Sequence, residues 1–400
     1  MEEWKEYRLG DVCTELSDGL HKAPKFVLGG DCIFVNAKNI INGNIVDNDP
    51  TKKTTYEEYL KYSSPLNDTT ILYSIDGTIG NVALYRGEKC VLGKGACYIN
   101  PNPKYLDRLF LYYELKSPRF KAYIDKMSTG STIKHISLKT MREYVFTCPN
   151  LDKQRKISSI LKSFDDKIEN NRKINENLEQ QAQALFKSWF VDFEPFRDQP
   201  FVEWELGMIP EGWRVVSLSS IADFINGLAM QNYRPTNGEK VMPVLKIKEL
   251  GQGGFDANSE YCSPTMVDDK YHIHNGDIVF SWSGTLMVKI WCGEECGLNQ
   301  HLFNVVPKGF SKWFAYQWTN YHLDNFIRIA KDKAVTMGHI KRGELDKAMV
   351  LIPNENDMVK MDYIMNPIYH KIVLGATESR RLSILRDTLL PKLMSGEIKL

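Results

Sequence analysis

The strongest constraint on this chain is that it repeats itself. Ile71-Leu72-Tyr73-Ser74-Ile75-Asp76-Gly77-Thr78 returns as Ile278-Val279-Phe280-Ser281-Trp282-Ser283-Gly284-Thr285. Other pairs follow in the same order at offsets of roughly 204 to 210 residues: Trp4 and Leu9 with Trp213 and Leu218, Ser17-Asp18-Gly19 with Ile225-Asn226-Gly227, residues 34–40 with 244–250, and His135-Ile136 with His339-Ile340. Each histidine is followed by a short apolar run and a proline, Pro149 and Pro353. Collinear matches over so long a stretch imply two copies of one supersecondary unit. Within each copy, short apolar runs bounded by Gly, Asn and Pro read as buried strands. The spacing over residues 105–124 and 312–329 predicts helix. Each half is therefore expected to be a mixed α/β domain.

Each copy is followed by a different kind of segment. Between Asn150 and Glu194 there is no glycine or proline. Ile157, Leu161, Phe164, Ile168, Asn171, Asn175, Leu178, Ala182, Leu185 and Trp189 form a three-four stripe, apolar except at its two asparagines. A helix of roughly 39 residues spans about 58 Å, longer than one domain core needs. The same register 204 residues later runs through Met361, Met365, Ile368, Ile372, Gly375, Ser379, Leu382, Arg386, Leu389 and Leu393, polar or bare at Gly375, Ser379 and Arg386. Pro367 and Gly375 should weaken or bend this second helix. Each stripe needs a partner, and equivalent exits from the two copies predict antiparallel pairing with the other. The expected class is α/β (mixed α+β): two pseudo-repeated domains separated by two long helices that form an antiparallel coiled coil.

Composition fits a chain with substantial cores, 43% hydrophobic and 25% charged, and the net charge of +1 excludes a polycationic coat. No signal sequence or membrane span is visible, so a cytoplasmic location is expected. The eight cysteines are scattered without a Cys-x-x-Cys pair and read as reduced thiols. Cys292, Cys296 and His301 could supply part of a metal site, but no second pair completes it. Residues 87–94 fail as a phosphate loop, because the glycine gap is too long and Gly95 follows Lys94. Asn100-Pro101-Asn102-Pro103 lacks the adjacent pair of prolines and the aromatic that an adenine methyltransferase uses. His272 and His274 alternate as on a strand, with no acidic or histidine partner nearby. No catalytic, cofactor or metal site is expected.

Three local segments add a resemblance: Leu185-Phe186-Lys187-Ser188-Trp189-Phe190-Val191-Asp192-Phe193-Glu194-Pro195, Gly207-Met208-Ile209-Pro210-Glu211-Gly212-Trp213, and Leu389-Leu390-Pro391-Lys392-Leu393-Met394-Ser395-Gly396-Glu397-Ile398. With the repeated domains and long helices, the whole chain resembles the specificity (S) subunit of a type I restriction-modification system. The resemblance implies a non-catalytic subunit with a target-recognition domain at 1–150, a spacer helix at 151–194, a linker and second target-recognition domain at 195–354, and a second spacer helix at 355–400. It implies sequence-specific binding of double-stranded DNA at an asymmetric bipartite site, and docking of two methyltransferase (M) subunits and a restriction/translocase (R) subunit, with no membrane. A two-domain protein-binding scaffold is the alternative, and a metal-dependent nuclease a more distant one.

Phosphate contacts should supply affinity and base-edge contacts specificity. Between Lys116 and Arg142 lie Arg119, Lys121, Lys126, Lys134 and Lys139 against one acid, Asp125; between Arg328 and Arg342 lie Lys331, Lys333 and Lys341 against Asp332. Both basic stretches hold the same repeat position and enclose a Thr/Gly/His loop. The candidate DNA-binding residues are Lys126, Thr129, Gly130, Thr132, Lys134 and His135 in the first copy, with Lys333, Thr336, Gly338, His339, Lys341 and Arg342 in the second. Lys38, Asn39, Lys246 and Lys248 follow, since Asn can read adenine and Lys guanine. Gly77-Thr78 and Gly284-Thr285 read as tight turns. Candidate coiled-coil and docking positions are Leu161, Phe164, Ile168, Leu178, Leu185, Trp189, Ile368, Ile372, Leu382, Leu389 and Leu393.

Overall fold

The structure, a computed structural model, describes residues 4–128, 135–204, 207–236, 238–332, 339–398 and 400. Two compact units emerge: Met1–Asp166 with Ser383–Leu400, and Lys167–Leu382.

In the first unit, the short strand Lys5–Arg8 pairs antiparallel with Val145–Cys148. A four-stranded antiparallel sheet has the order Cys13–Asp18, Ala96–Pro101, Ile71–Ser74, Val82–Leu84. Ile71–Ser74 is buried at every position, which is why it reads as a continuous apolar run rather than an alternating one. A second sheet places Cys32–Val35 parallel to Cys90–Leu92 and antiparallel to Lys53–Thr54.

The second unit repeats this topology. Arg214–Ser217 pairs with Met349–Ile352, and the four-stranded order is Ala222–Asn226, Leu302–Pro307, Ile278–Ser281, Met287–Ile290. Met242–Leu245 lies parallel to Cys296–Leu298 and antiparallel to Tyr261–Cys262. The second unit adds His272–Ile273 to that sheet, and the first adds a hairpin of Ile40–Ile41 with Asn44–Ile45.

The helical stretches expected over 105–124 and 312–329 are each two helices. Arg108–Lys116 stops at Ser117, whose hydroxyl accepts from the Phe120 amide and starts Pro118–Met127 with proline in the first turn. In the second unit Lys312–Tyr321 gives way at His322 to Leu323–Asp332.

The long helices are Leu151–Phe190 and Glu355–Ser395. The first ends where Phe193 takes a left-handed backbone (φ 50°) ahead of Pro195, short of the expected Glu194. The second is one unbroken helix through Pro367 and Gly375, the positions expected to weaken or bend it. The carbonyl that Pro367 cannot satisfy belongs to Tyr363, and that residue is 84% exposed, so water can take its place. Within the second unit the helices run antiparallel: Asn175 Nδ2 donates to Ile372 O (2.9 Å), while Asn171 Nδ2 donates to Glu378 Oε2 (2.7 Å). Hydrogen bonding to Asn171 and then the charge of Lys167 hold the Glu378 carboxyl below its ordinary range. Within the first unit Arg386 reaches Asp165 (2.5 Å), which also accepts from Tyr113 Oη (2.9 Å).

Both cores recruit both helices. Ile157, Leu161, Leu390, Leu393 and Met394 join the first core, with Trp4 and Ile398 packed on it. Ala182, Phe186, Trp189, Phe190, Met361, Met365 and Tyr369 join the second. No helix among the described residues is long and apolar enough to cross a membrane.

Candidate nucleic-acid interface

In each unit the segment that leaves the basic loop is tied to the turn after the central buried strand. His135 bridges to Asp76, and the Ile136 amide donates to Ile75 O (2.9 Å). His339 bridges to Ser283, and the Ile340 amide donates to Trp282 O (3.2 Å). Gly77 (φ 73°) and Gly284 (φ 65°) make that turn left-handed, a conformation glycine adopts at little cost. A neighbouring turn is matched just as closely. Gly19 and Gly227 sit so near the facing strand end that a Cβ would lie 2.1 Å from Leu92 O and 2.3 Å from Asn299 O, so only glycine fits. One backbone frame thus recurs, carrying different side chains.

The side chains around the frame are unlike. The first unit presents Asp76 and Asp18, with His21 3.2 Å from Asp18. The second presents Trp282, whose indole donates to Asn226 Oδ1 (3.1 Å), and His301, whose Nδ1 lies 3.0 Å from Ser283 Oγ. His339 meets the Trp282 ring edge-on at 6.3 Å.

Several candidate readers have internal duties. Asn39 is 2% exposed; its Oδ1 accepts from the Asn36 amide, and its Nδ2 donates to Val46 O and Asn48 Oδ1. Its counterpart is Glu249, 3% exposed, whose carboxylate accepts from Ser259. The preceding lysines are paired alike, Lys38 with Asp49 and Lys248 with Asp256, both at 2.7 Å. Hydrogen bonds from Lys38 and Thr51 lower the Asp49 carboxyl to about 2. Lys246 reaches Glu260 at 2.5 Å. This is one repeated motif, a buried polar cap with a paired lysine beside it.

The basic stretches divide in the same way. Arg119 clasps the fully buried Glu114, which also accepts from Tyr144 Oη (2.5 Å). Arg142 donates to Leu16 O, and Arg342 to Phe224 O while lying over the Phe303 ring. Lys116 sits over Tyr112, 3.8 Å from Asp165. Lys121, Lys126 and Lys341 are exposed. Thr129, Gly130, Thr132, Lys134, Lys333, Thr336 and Gly338 lie outside the described residues.

Of the helix positions, Leu161, Trp189, Ile372 and Leu393 are buried, while Phe164, Ile168, Leu178, Leu185, Ile368, Leu382 and Leu389 are half-buried. His272 corrects the sequence reading. It does have an acidic partner, Glu295, 2.8 Å from its Nδ1, and Val267 O lies 3.0 Å from Nε2. Glu295 comes from 23 residues along the chain, beyond any local pattern. Hydrogen bonding from His272 lowers the Glu295 carboxyl. Cys296 Sγ contacts Ile273 O at 3.9 Å, and no group of three potential metal ligands lies together among the described residues.

These features define a class, a protein built from one α/β unit used twice with a pair of long helices shared between the cores. The family profile described as the type I restriction modification DNA specificity domain matches residues 1–180 and 210–378, and the chain belongs to that family. It is 27% identical over 421 residues to the type I restriction enzyme MjaIX specificity subunit of Methanocaldococcus jannaschii, covering 99% of this chain and 94% of that one. It is 23% identical over 476 residues to the HindI specificity subunit of Haemophilus influenzae, covering the whole of both. Among solved structures, the S subunit of a type I restriction-modification system from M. genitalium has the same fold, with a TM-score of 0.56 at 19% identity, covering 98% of this chain and 96% of that one.

Proposed function

We propose that the chain is the sequence-specific, double-stranded-DNA-binding specificity subunit of a type I restriction-modification complex. Residues 1–150 and 195–354 act as its two target-recognition domains. It does no chemistry itself: it binds an asymmetric bipartite site and docks two methyltransferase subunits and a restriction/translocase subunit, which act on the DNA. The observation that carries the reading is the recurrence of one backbone frame with unlike side chains at equivalent places. Two equal frames present themselves to DNA in the same way, and unlike side chains select different bases, so the two half-sites differ. The helices at 151–194 and 355–400 set the gap between the half-sites, because a helix gives a fixed rise per residue.

The test is to map methylated adenines in DNA modified by the assembled complex. The expected result is a two-part sequence with unlike halves and a constant gap. Adding one helical turn to both helices should change the gap and leave the halves intact. Modification at a single continuous palindrome, or at sites with a variable gap, would overturn the reading.

A further inference from the structure

One turn beside the repeated frame holds residues that the sequence marks only as the end of a failed phosphate loop, Lys94 and Gly95, and as part of an incomplete metal site, His301. In the first unit it is Gly93-Lys94-Gly95-Ala96; in the second, Asn299-Gln300-His301-Leu302. Its backbone is held by the same bonds in both. The Gly93 amide donates to Val35 O (2.9 Å) and the Asn299 amide to Leu245 O (3.1 Å). The Lys94 amide donates to Leu20 O (2.9 Å) and the Gln300 amide to Leu228 O (2.8 Å). The Ala96 amide closes on Gly93 O (2.9 Å), and the Leu302 amide on Asn299 O (3.0 Å). The next carbonyl, of Gly95 or His301, accepts from Ile75 or Trp282, the residues that also anchor the exit of each basic loop. Lys94 and Gln300 therefore start from the same backbone geometry, on a support fixed on both sides.

What differs is the side chain. Lys94 is exposed and joins no ion pair among the described residues, unlike Lys38, Lys246 and Lys248. Gln300 is half-buried, its Nε2 3.5 Å from His301 Nε2, and the opposite nitrogen of that ring lies 3.0 Å from Ser283 Oγ. With His301 protonated on Nδ1, its Nε2 accepts one Gln300 N–H. The second N–H and the Oε1 acceptor stay available side by side.

We propose that Lys94 and Gln300 are equivalent specificity-determining residues, one per half-site, with Lys94 reading a guanine and Gln300 an adenine in the major groove. This deepens the DNA-reading assignment above and rests on it. Adenine offers N7 as acceptor and N6–H as donor, which the free N–H and Oε1 of Gln300 complement; guanine offers two acceptors, O6 and N7, which suit an ammonium donor. Fixing the backbone before binding lowers the ordering cost of each contact. His301 is a positioning residue that steadies the Gln300 amide.

The experiment uses the full chain with its methyltransferase partner, reading methylated positions in DNA of random sequence. If the unaltered chain directs modification to no two-part sequence, the assignment under Proposed function fails. If it does, Gln300→Lys should move one A:T preference to G:C in one half, by roughly tenfold to a hundredfold, and leave the other half alone. Lys94→Gln should do the converse in the other half. Thermal melts of both variants establish that they fold, and Gln300→Ala supplies a smaller change, expected to relax the same position. Unchanged preferences, changes in both halves at once, or an equal loss on every sequence, as a phosphate contact would give, would overturn the proposal.

Discussion

Gly375 lies against Asn175 so closely that a Cβ on the glycine would sit 2.6 Å from the amide oxygen. That asparagine holds the facing helix by donating to Ile372 O at 2.9 Å. The bare position and the amide are one device: the missing side chain makes room for a polar contact in the middle of the helix pair.

The two positions should therefore be coupled. Alanine gains about 1 kcal/mol over glycine in a helix interior. Here Gly375→Ala must displace the amide and its hydrogen bond, so the gain should appear in an Asn175→Ala background and vanish in the native one. Urea unfolding of the two single variants and the double variant measures the coupling, expected at about 1 kcal/mol.

Arg119→Ala should be among the most damaging changes at a half-exposed position. It leaves the Glu114 carboxylate, 0% exposed, with Tyr144 and without its cation. Breaking such a pair from one side costs about 3–5 kcal/mol. The readout is the denaturation midpoint of the first unit, and a loss below about 1 kcal/mol would contradict the burial argument.

The cysteines should be nearly inert in the native chain. Burial pushes Cys13 and Cys90 up to about 12 and Cys148, Cys262 and Cys292 up to about 11, and raises Cys32, Cys97 and Cys296 as well. The thiolate is the reactive form, so alkylation by iodoacetamide at pH 8 should be slow until urea unfolds the protein. The folded values lie above the unfolded value near 9. The associated stability is thus complete below pH 9 and declines as pH rises toward 11 and 12. Unfolding midpoints at pH 7, 9 and 10.5 test the sign.

Lys126→Glu and Lys341→Glu should weaken DNA binding alike on all sequences. Both residues are exposed in the basic stretches. Each phosphate contact contributes a slope of about −0.9 in log K against log salt, so each loss should flatten the slope by about one. An unchanged slope would favour a protein-binding scaffold.

Asn39→Ala should act on stability instead. The Asn39 amide satisfies three groups inside the first unit. Its loss should cost about 1–3 kcal/mol, and the preferred sequence of the folded variant should be unchanged.

Much of the architecture could be read from the residues. Ile71–Ser74 and Ile278–Ser281 announced buried strands because every position is apolar or small, and each lies inside its sheet. The helix pair was legible because a polar step at Asn171 and Asn175 had a matching bare step at Gly375. The site was less legible. Asn39 and Lys38 have the composition of base readers, but a loop nine to eleven residues on engages both. Gln300 drew no notice, and Lys94 only as the end of a failed phosphate loop, because nothing in their own segments marks a turn anchored from three other segments of the chain.

By itself the sequence determined the double use of one unit, the apolar faces of its strands and the period of its long helices, since these follow from residue spacing along the chain. The tertiary structure alone decided which polar groups face inward. Whether an asparagine, arginine or histidine is consumed by a cap, a carbonyl or a carboxylate depends on partners far away in the chain. A buried polar group must find such a partner, while an exposed one remains available to a ligand.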